Sequence, residues 1–269
     1  MNEWVRAEGV AIVTGAAGGM GCECARLLAE DGWSELVLCD LDEARLESVA
    51  APLREQGAHV EILAGDITEA AFWDRLVALI GQRGVGAAVH TAGVSPGMAP
   101  AGRMLEINLD ATVRLVETLR ALMNARGAVV LFASLASHLP FPEEAVAPFE
   151  GELPEVPSQA LAAYAPTPES AYPLSKRAVR AIARREAKNF GERGARIVSI
   201  SPGFIDTAMM AGEMSPMVTQ MLEGAALPRL GKPAELAAVA TFLCSARAGF
   251  ITGVDIKVEG GALAAMGIA

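Results

Sequence analysis

The stretch TGAAGGMG, residues 14–21, decides the fold of this chain. It follows the short apolar run 10–14 and leads into residues 19–31, where apolar side chains recur at helical spacing. Glycines between a strand and a helix allow a tight turn, and the free N–H groups at the helix start attract an anion. The stretch therefore predicts a phosphate-binding turn at the start of an α/β domain.

Apolar runs and helical patterns alternate along the chain from this turn onward. The predicted strands are residues 10–14, 36–39, 59–64, 87–91, 128–133, 196–201 and 254–258. Because the runs are apolar on both faces and helices separate them, they predict a parallel sheet covered on both sides. The expected fold is α/β, a doubly wound Rossmann-type sheet in a single domain over residues 1–269, with its ligand crevice at the carboxyl ends of the strands.

One segment, residues 138–168, interrupts this alternation with seven prolines and several acidic residues. It is an insertion between the fifth predicted strand and a helix predicted at about 170–190. Since it leaves from the carboxyl end of a strand, we expect a structureless loop that hangs over the crevice as a lid or binding loop. The alternative is a solvated insertion without a role in binding.

Composition argues against several classes of protein. Apolar residues make up 52% and charged residues 20% of the 269 residues, so a sizeable core is available. The net charge of −10 comes without a Lys/Arg-rich stripe, which argues against nucleic acid as a partner. No apolar run is long enough to span a bilayer, and the N-terminus is too polar for a secretory signal, so we expect a cytoplasmic protein. No Cys/His cluster has zinc-ligand spacing, so no metal site is predicted.

Tyr172 and Lys176 stand four residues apart in the sequence YPLSK. On a helix this spacing puts both side chains on one face. Pro173 fits a helix only in its first turn, which predicts that Tyr172 lies at the helix start. A nearby ammonium and a helix N-terminus both favour the phenolate of a tyrosine, whose pKa is ordinarily about 10. The same spacing also arises by chance, so the prediction depends on its surroundings.

Two further polar residues are predicted at the same crevice. Ser134 closes the fifth strand, and its hydroxyl can hydrogen-bond a substrate oxygen. Asn108 lies within a predicted helix although Asn is a poor helix former, which indicates a polar role near the site. The alternative for Asn108 is an exposed helix residue.

Asp40 follows the second predicted strand. A carboxylate there can accept hydrogen bonds from the adenosine ribose of a dinucleotide, and it would repel a 2′-phosphate. Gly18 and Leu41, the neighbouring positions where a phosphate-binding cation would stand, are uncharged. NAD(H) rather than NADP(H) is therefore predicted. The alternative role for Asp40 is a helix cap, for which Asp42 is better placed.

Together these residues resemble the short-chain dehydrogenase/reductase family over nearly the whole chain, in its compact branch. The resemblance implies a catalytic tetrad of Asn108, Ser134, Tyr172 and Lys176. The family's glycine motif, ribose acid, adenine-contacting Asp, N-N-A-G motif and P-G motif all have counterparts. They imply that the cofactor is bound by Tyr172 and Lys176 together with Thr14, Gly15, Gly18, Gly19, Met20, Gly21, Asp40, Leu41, Asp66, Ile67, Ala92, Gly93, Pro202, Gly203, Ile205 and Thr207.

Two departures from the family pattern stand out. His90 and Thr91 replace Asn-Asn, which puts in doubt the polar support that those residues give beneath the cofactor. The interval from Gly93 to Asn108 is short for the family, and that from Ser134 to Tyr172 is long. Both lengths resemble the branch of 3α-hydroxysteroid dehydrogenase/carbonyl reductases, which implies a cyclic or bulky apolar substrate that is steroid-like, alicyclic or aromatic.

The predicted activity is the interconversion of a secondary alcohol and a ketone, with Tyr172 as general base or acid in a hydride transfer. We expect Lys176 to lower the pKa of Tyr172 and to hold the nicotinamide ribose. Ser134 is expected to orient the reacting oxygen, and Asn108 to hold a water that links Lys176 to solvent. The alternative is a non-catalytic NAD-binding or regulatory protein of the same fold. The resemblance also implies a homodimer or homotetramer.

Substrate contacts are predicted in less regular segments. Residues 207–227 contain five methionines and predict a mobile apolar lid, with Met209 and Met210 towards the substrate. The alternative for this segment is ordinary helix packing. Val94 and His138 are also expected at the pocket beside Ser134 and Tyr172, although a solvated loop is the alternative position for His138.

Overall fold

Apolar side chains buried on both faces make each predicted run a strand of a parallel sheet. The computed structural model describes residues 7–145, 147–149, 151 and 154–268. The strands are β1 Val10–Thr14, β2 Glu35–Asp40, β3 His59–Ala64, β4 Val85–His90, β5 Met123–Phe132, β6 Arg196–Pro202 and β7 Asp255–Val258. Within the described residues they form one sheet of order β3-β2-β1-β4-β5-β6-β7, in which every neighbouring pair is parallel.

This strand order confirms the predicted doubly wound, Rossmann-type fold. The chain builds outward from β1 through β2 to β3, returns to β4 on the other side of β1, and continues to β7. The order therefore reverses between β1 and β4, and a crevice opens at the carboxyl ends of the strands at such a point. All of the chemistry predicted from the sequence is expected along this edge.

Helices cover both faces of the sheet. They are α1 Gly19–Glu30, α2 Glu43–Glu55, α3 Ala70–Ile80, α4 Ala101–Leu105, α5 Ala111–Leu122, α6 Pro157–Ala162, α7 Pro168–Gly191, α8 Ala208–Glu213, α9 Pro216–Gly224, α10 Pro233–Cys244 and α11 Ala262–Ala265. Side chains alternate along a strand, so Ile12 packs in the cluster under α3, α5 and α7, whereas Val13 packs in the cluster under α1, α2 and α10. These two clusters form the core.

The described residues also bear on the class of protein. None of their helices combines the length and the apolar character that crossing a bilayer requires. No three of their His, Cys, Asp and Glu side chains gather in a group that could hold a metal ion. Burial raises the pKa of every cysteine thiol, and all are free: Cys22, Cys24, Cys39 and Cys244. These thiols therefore serve packing, because a reactive cysteine needs a stabilised thiolate.

The insertion at 138–168 is not the structureless loop that its prolines predicted. It contains α6 and two short helical turns before it. The Ser158 amide donates to Asp110 Oδ1 over 2.8 Å, which ties α6 to the helix turn that joins α4 to α5. Apolar side chains of the insertion are fully buried in the cluster of α5 and α7, namely Ala145, Phe149 and Leu161. A wholly solvated insertion is therefore wrong as well, because these side chains cover an apolar helix surface, whereas a role of the insertion in binding stays a prediction.

Helix α7 starts earlier than the proline rule predicted. Thr167 is its N-cap and forms a reciprocal capping box with Ser170, and Pro168 is the first helical residue. Pro173 consequently lies in the second turn, inside the helix. Its missing N–H leaves the carbonyl of Glu169 without its helical partner, and this exposed residue can turn to solvent instead. Tyr172 therefore lies a full turn inside the helix rather than at its start.

Candidate active site

The glycine turn after β1 is pressed against the end of β4. Gly15 has a φ of +71°, which side chains other than glycine rarely adopt. A Cβ on Gly15 would lie 2.7 Å from the backbone nitrogen of Ala92, and one on Gly21 would lie 2.1 Å from the carbonyl oxygen of Gly15. The two glycines are therefore required for the close approach of α1 to the turn.

The start of α1 offers free donors to an anion. Gly18 is the N-cap of α1 and has no side chain to cap the helix. The first helical hydrogen bond runs from the Cys22 amide to the Gly18 carbonyl over 2.8 Å. Within the described residues the amides of Gly19 and Met20 make no hydrogen bond. Free amides and the positive end of the helix dipole suit a phosphate. This cradle fits the pyrophosphate of a dinucleotide.

Asp40 lies beside this cradle, at the carboxyl end of β2. Its Oδ2 accepts from the Ala17 amide over 3.0 Å, and its Oδ1 accepts from the Leu41 amide over 2.7 Å. The cap of α2 is Asp42, which accepts from the Arg45 amide over 3.1 Å, so the alternative role of Asp40 as a helix cap is wrong. Leu41 is 72% exposed and forms an open wall next to the carboxylate.

Arg45 is a neighbour of this corner that sequence reasoning missed. Its Nη2 donates to the carbonyl oxygen of Ala17 over 2.6 Å, and the amide of the same residue donates to Asp40, so Arg45 and Asp40 share Ala17 as a partner. The signal was present, because Arg45 lies in the first turn of the helix that follows β2. Only the packing of α2 beside the sheet returns this side chain to the glycine turn.

Asp66 is already held by protein groups. Its Oδ1 accepts from the amide and the hydroxyl of Thr68 over 2.8 and 2.7 Å, and its Oδ2 pairs with Arg103. Burial raises the pKa of Asp66, but the Thr68 hydrogen bonds and the Arg103 charge outweigh it and hold the pKa below the ordinary value. Ile67 is buried, and its carbonyl accepts from Trp73 Nε1 over 2.8 Å. Contact of either residue with adenine stays a prediction.

His90 supplies polar support where the family has Asn. Its Nδ1 lies 2.6 Å from Thr14 Oγ1, and its Nε2 lies 3.0 Å from Thr112 Oγ1. The Thr112 hydroxyl donates in turn to the Asn108 carbonyl over 2.8 Å. Thr91 adds a bond from its hydroxyl to the Thr14 carbonyl over 2.8 Å. His90, which stands where the family has Asn, therefore connects β1 to the helix turn that carries Asn108.

We predict that His90 makes the fold sensitive to acid. Burial, with a smaller contribution from Lys176, lowers the pKa of His90 to about 3, against 6.5 ordinarily. Between these values the unfolded chain binds a proton that the folded chain does not, so the free energy of unfolding falls as pH falls through this window. The loss on going from pH 7 to pH 5 is about 2 kcal/mol, from about 1.4 kcal/mol per pH unit.

Urea unfolding of wild type and His90→Asn at both pH values measures this difference. In His90→Asn, the decrease in the free energy of unfolding between pH 7 and pH 5 is expected to be smaller than in wild type by about 2 kcal/mol, whatever the stability of the variant at pH 7. His59→Asn is the matched control, because His59 is exposed on β3. Equal pH dependence in wild type and His90→Asn would contradict the prediction.

Asn108 lies in a π-helical turn, Glu106–Asp110, between α4 and α5. It is 1% exposed, so the alternative of an exposed helix residue is wrong. Its Oδ1 accepts from the Val94 amide over 2.8 Å, and its Nδ2 donates to the Val94 carbonyl over 2.9 Å and to Ser175 Oγ over 3.4 Å. π-Turns are frequent at functional sites, and this one aims an amide group between the loop after β4 and α7.

The structure places the Ser134 and Tyr172 side chains near each other. The Ser134 hydroxyl is close enough to the phenol of Tyr172 to lower its pKa, and Ser134 Oγ accepts from the Ala136 amide over 3.2 Å. Ser175 Oγ donates to the Tyr172 carbonyl over 2.8 Å and so joins this turn of α7 to Asn108. Two hydroxyl groups therefore lie near each other where β5 ends and α7 begins its second turn.

Lys176 lies one turn along α7 from Tyr172 and is 6% exposed. Its Nζ donates to the Phe132 carbonyl over 2.8 Å, and a Cβ on Gly93 would lie 3.2 Å from this nitrogen and 3.0 Å from Asn108 Oδ1. Burial lowers the pKa of Lys176 to about 8. The four residues of the predicted tetrad therefore share one crevice, with Gly93 between two of them.

The expected effect of Lys176 on Tyr172 is not what the structure gives. Burial raises the pKa of Tyr172, the Ser134 hydrogen bond lowers it, and the charge of Glu213 raises it, with a net increase. The prediction of a pKa lowered by Lys176 is wrong for this structure, because the ammonium points to the Phe132 carbonyl and Tyr172 lies away from the helix N-terminus.

The segment after β6 forms the far wall of the crevice. A Cβ on Gly203 would lie 2.7 Å from Glu259 Cα, so only glycine fits directly after Pro202. Ile205 is buried, and Thr207 caps α8 by accepting from the Met210 amide over 3.2 Å. A Cβ on Gly19 would lie 3.2 Å from Thr207 Cγ2, so this wall reaches the glycine turn.

The lid segment, residues 207–227, forms α8 and α9, which contain no buried residue. Met209 and Met210 are half-buried on α8, and Met217 is 67% exposed on α9. Met221 of α9 packs against an apolar cluster of Leu135, Ala225, Ala262 and Leu263, so part of the segment packs as an ordinary helix, and its role as a lid stays a prediction. Val94 is half-buried and held by Asn108, next to the tetrad.

His138 does not lie at the substrate pocket, and its predicted contact with substrate is wrong. Its Nε2 is 3.0 Å from Asp255 Oδ2 and 3.1 Å from Ser201 Oγ, and its side chain is 5% exposed. The helical turn after Ser134 rotates it towards β6 and β7, where the carboxylate of Asp255 needs a partner. The alternative of a solvated loop residue is equally wrong.

Comparison with known proteins assigns the family. A model described as short chain dehydrogenase matches residues 9–146, and one described as enoyl-(acyl carrier protein) reductase matches residues 156–262. Cis-4-hydroxycyclohexanecarboxylate dehydrogenase of Sinomonas cyclohexanicum is 31% identical over 259 residues, covering 95% of this chain and 96% of the relative. 2,5-Dichloro-2,5-cyclohexadiene-1,4-diol dehydrogenase LinX of Sphingobium indicum is 28% identical over 252 residues, covering 94% of this chain and 95% of the relative.

A solved structure agrees with these relatives. The short-chain dehydrogenase/reductase of Brucella melitensis, titled a glucose/ribitol dehydrogenase, is 28% identical with a TM-score of 0.76. The match covers 96% of this chain and 99% of that one. Fold, glycine turn and relatives agree, and the chain belongs to the short-chain dehydrogenase/reductase family of oxidoreductases.

Proposed function

We propose that this protein is an NAD(H)-dependent oxidoreductase that interconverts a secondary alcohol and a ketone at the hydroxyl of Tyr172. The observation that carries the proposal is the convergence of the four tetrad side chains on one crevice. Lys176 Nζ and Asn108 Oδ1 both face Gly93, and Ser134 and Tyr172 lie near each other at the carboxyl end of β5. The same crevice holds the glycine turn, and a substrate oxygen bound there is expected to face both the Ser134 and the Tyr172 hydroxyl.

The roles of the tetrad follow from its contacts. The cofactor, when bound, supplies or accepts the hydride. Tyr172 takes the proton of the alcohol in one direction and returns it in the other, while Ser134 orients the reacting oxygen. Lys176, a buried cation one turn away, holds the nicotinamide ribose. Asn108 fixes the loop at Val94, and the water that it is expected to hold beside Lys176 stays a prediction.

The same proposal names the residues that would hold the cofactor. The turn at Gly15, Gly18 and Gly19 with the start of α1 receives the pyrophosphate, and Asp40 receives the adenosine ribose. The other family positions are expected around the rest of the dinucleotide, with Asp66 at the adenine and the segment from Pro202 to Thr207 at the nicotinamide: Thr14, Met20, Gly21, Leu41, Asp66, Ile67, Ala92, Gly93, Pro202, Gly203, Ile205 and Thr207. Of all the cofactor-binding residues, Asp40 determines the preference for NAD(H), because its charge repels a 2′-phosphate.

The relatives support a cyclic substrate. One is named for a cyclohexadiene diol and another for a hydroxycyclohexane carboxylate. The substrate is expected between Ser134 and Tyr172 on one side and the half-buried side chains of the lid and the β4 loop on the other, which are Val94, Met209 and Met210. Methionine adapts to irregular ligands, which suits an alicyclic or aromatic ring.

A panel of cyclic and acyclic secondary alcohols, assayed for NADH formation, tests the activity. Cyclic alcohols are expected to be oxidised, and the corresponding ketones to be reduced with NADH. Absence of turnover on a broad panel, with NADH still bound, would favour the alternative of a non-catalytic NAD-binding or regulatory protein.

Cofactor preference is the prediction that tests Asp40. Wild type is expected to show at least about tenfold higher kcat/KM with NAD than with NADP, since one repulsive contact is worth about 1.4 kcal/mol or more. Asp40→Ser should reduce this ratio by about the same factor, because Arg45 remains to pair with a 2′-phosphate. Arg45→Ala is the control and should leave the wild-type preference for NAD in place. Better kcat/KM with NADP in wild type would overturn the assignment.

Assembly and location complete the proposal. The family resemblance supports a homodimer or homotetramer. Because the insertion packs on α5 and α7, less of the surface of these helices is left for contacts between subunits. A mass from light scattering decides between these states. The cysteines are free, and three of them are buried, which suits a reducing, cytoplasmic compartment.

A further inference from the structure

Helix α8 spans the crevice from the glycine turn to the loop after β4. At its first end, Thr207 approaches Gly19. At its other end, Glu213 Oε1 accepts from the Ser95 hydroxyl over 2.7 Å and from the Gly97 amide over 2.9 Å. Ser95 is buried at 3% exposure, so this end of the lid is anchored rather than loose.

The anchor belongs to the same loop that the tetrad holds. Val94, next to Ser95, is bonded through both its amide and its carbonyl to the side chain of Asn108. Glu213 and Asn108 therefore hold adjacent residues of the same loop, which fixes the Glu213 carboxylate near the tetrad. Its negative charge also acts on Tyr172 strongly enough to be one of the causes that raise the pKa of the phenol.

One oxygen of this carboxylate remains available. Both anchoring hydrogen bonds go to Oε1, and among the described residues Oε2 accepts none. Glu213 likewise has no ion-pair partner in the part of the chain that the structure describes. A carboxylate oxygen without a hydrogen-bond partner can accept from a hydroxyl group and repels another carboxylate.

We infer that Glu213 is a specificity-determining residue that selects cyclic substrates with a second hydroxyl group and rejects those with a carboxylate at that position. This inference rests on the proposed function and adds the substrate class. Tyr172 and Ser134 receive the reacting oxygen, and Glu213 Oε2 accepts a hydrogen bond from the second hydroxyl. The site is therefore suited to a cyclic diol rather than to a hydroxycyclohexane carboxylate.

Three probes of one ring size test the inference: 1,4-cyclohexanediol, cyclohexanol and 4-hydroxycyclohexanecarboxylate. Wild type is expected to favour the diol over the hydroxycarboxylate by tenfold or more in kcat/KM. Glu213→Gln keeps an oxygen that can accept from Ser95 and Gly97 but removes the charge. Because loss of the charge also lowers the Tyr172 pKa for every probe, the results are compared as ratios to cyclohexanol. Relative to cyclohexanol, kcat/KM should rise about tenfold for the hydroxycarboxylate and fall severalfold for the diol.

Glu192→Gln is the matched control, because it removes the same charge from an exposed position at the end of α7. It should leave the selectivity among the three probes unchanged. An unchanged ratio of diol to hydroxycarboxylate in Glu213→Gln, or a wild-type preference for the hydroxycarboxylate, would overturn the inference.

Calorimetric titration of the enzyme–NADH complex with the same probes separates this inference from the proposed function. If no variant turns over any probe but Glu213→Gln still shifts binding from diol to hydroxycarboxylate, the proposed function fails and the specificity stands. If wild type oxidises cyclohexanol but the binding ratio is the same in Glu213→Gln, the function stands and the specificity fails. Binding of none of the probes by wild type also overturns the specificity.

Discussion

Tyr172→Phe is expected to lower kcat for alcohol oxidation by about 10³-fold or more while leaving the affinity for NADH within about twofold. The substitution removes one oxygen and with it the proton acceptor, and positioned general acid–base groups contribute about 10²–10⁴-fold. The phenyl ring keeps the packing of the side chain against the core beneath α7. Stopped turnover with intact cofactor binding therefore separates chemistry from folding.

Tyr164→Phe is the matched control, because it makes the same change at the chain's other tyrosine, which is 43% exposed in the insertion. It should retain full activity. Turnover in Tyr172→Phe within tenfold of wild type would remove Tyr172 from the proposed mechanism.

The pH profile gives a second test of the same residue. Oxidation needs Tyr172 as a base, and burial raises its pKa. The kcat/KM for oxidation is therefore expected to rise with pH, whereas that for ketone reduction, which needs the phenol, should fall. In Tyr172→Phe, the residual kcat/KM should no longer rise with pH for oxidation and fall with pH for reduction.

Gly21→Ala is expected to destabilise the protein by about 3 kcal/mol or more and to weaken NADH binding by at least about 100-fold. The added Cβ would lie 2.1 Å from the carbonyl oxygen of Gly15, a backbone atom that cannot rotate away. Helix α1 must then move off the turn, and overpacking in a well-packed region costs about 1–3 kcal/mol, occasionally more. The movement also displaces the amides that form the anion cradle.

Gly191→Ala is the matched control for this substitution. Gly191 is the last residue of α7, and a Cβ there meets nothing within 4 Å. Alanine at this position should leave thermal unfolding and NADH affinity close to wild type, since alanine is favoured over glycine in a helix. If Gly21→Ala behaves like Gly191→Ala in both measurements, the cradle does not depend on this close approach.

Much of the candidate site was predictable because its residues mark the ends of regular elements. Asp40 and Ser134 follow β2 and β5, and the carboxyl ends of parallel strands meet at one edge of the sheet. Asn108 was found from a local conflict, since a poor helix former within a helix indicated a polar role. The π-turn that resolves this conflict was not predictable, because it depends on the contact with Val94.

The errors have a common physical origin. His138 was expected at the pocket, but its direction depends on a helical turn after β5 and on the carboxylate of Asp255, which is distant in sequence. Arg45 and Glu213 were missed because each acts at a loop far from its own position along the chain. Side-chain partners of this kind are chosen by packing, which no local pattern records.

The sequence alone determined the class of fold, the glycine turn and the tetrad, because alternating buried strands and helices admit few arrangements and the residues that follow strands converge on one crevice. The tertiary structure decided what surrounds the tetrad. It placed the insertion on α5 and α7, joined His90 to Thr14 and Thr112, and bonded the Glu213 carboxylate to Ser95 and Gly97 in the loop after β4. These contacts join residues up to 118 positions apart, and only the folded chain brings their side chains within hydrogen-bonding distance.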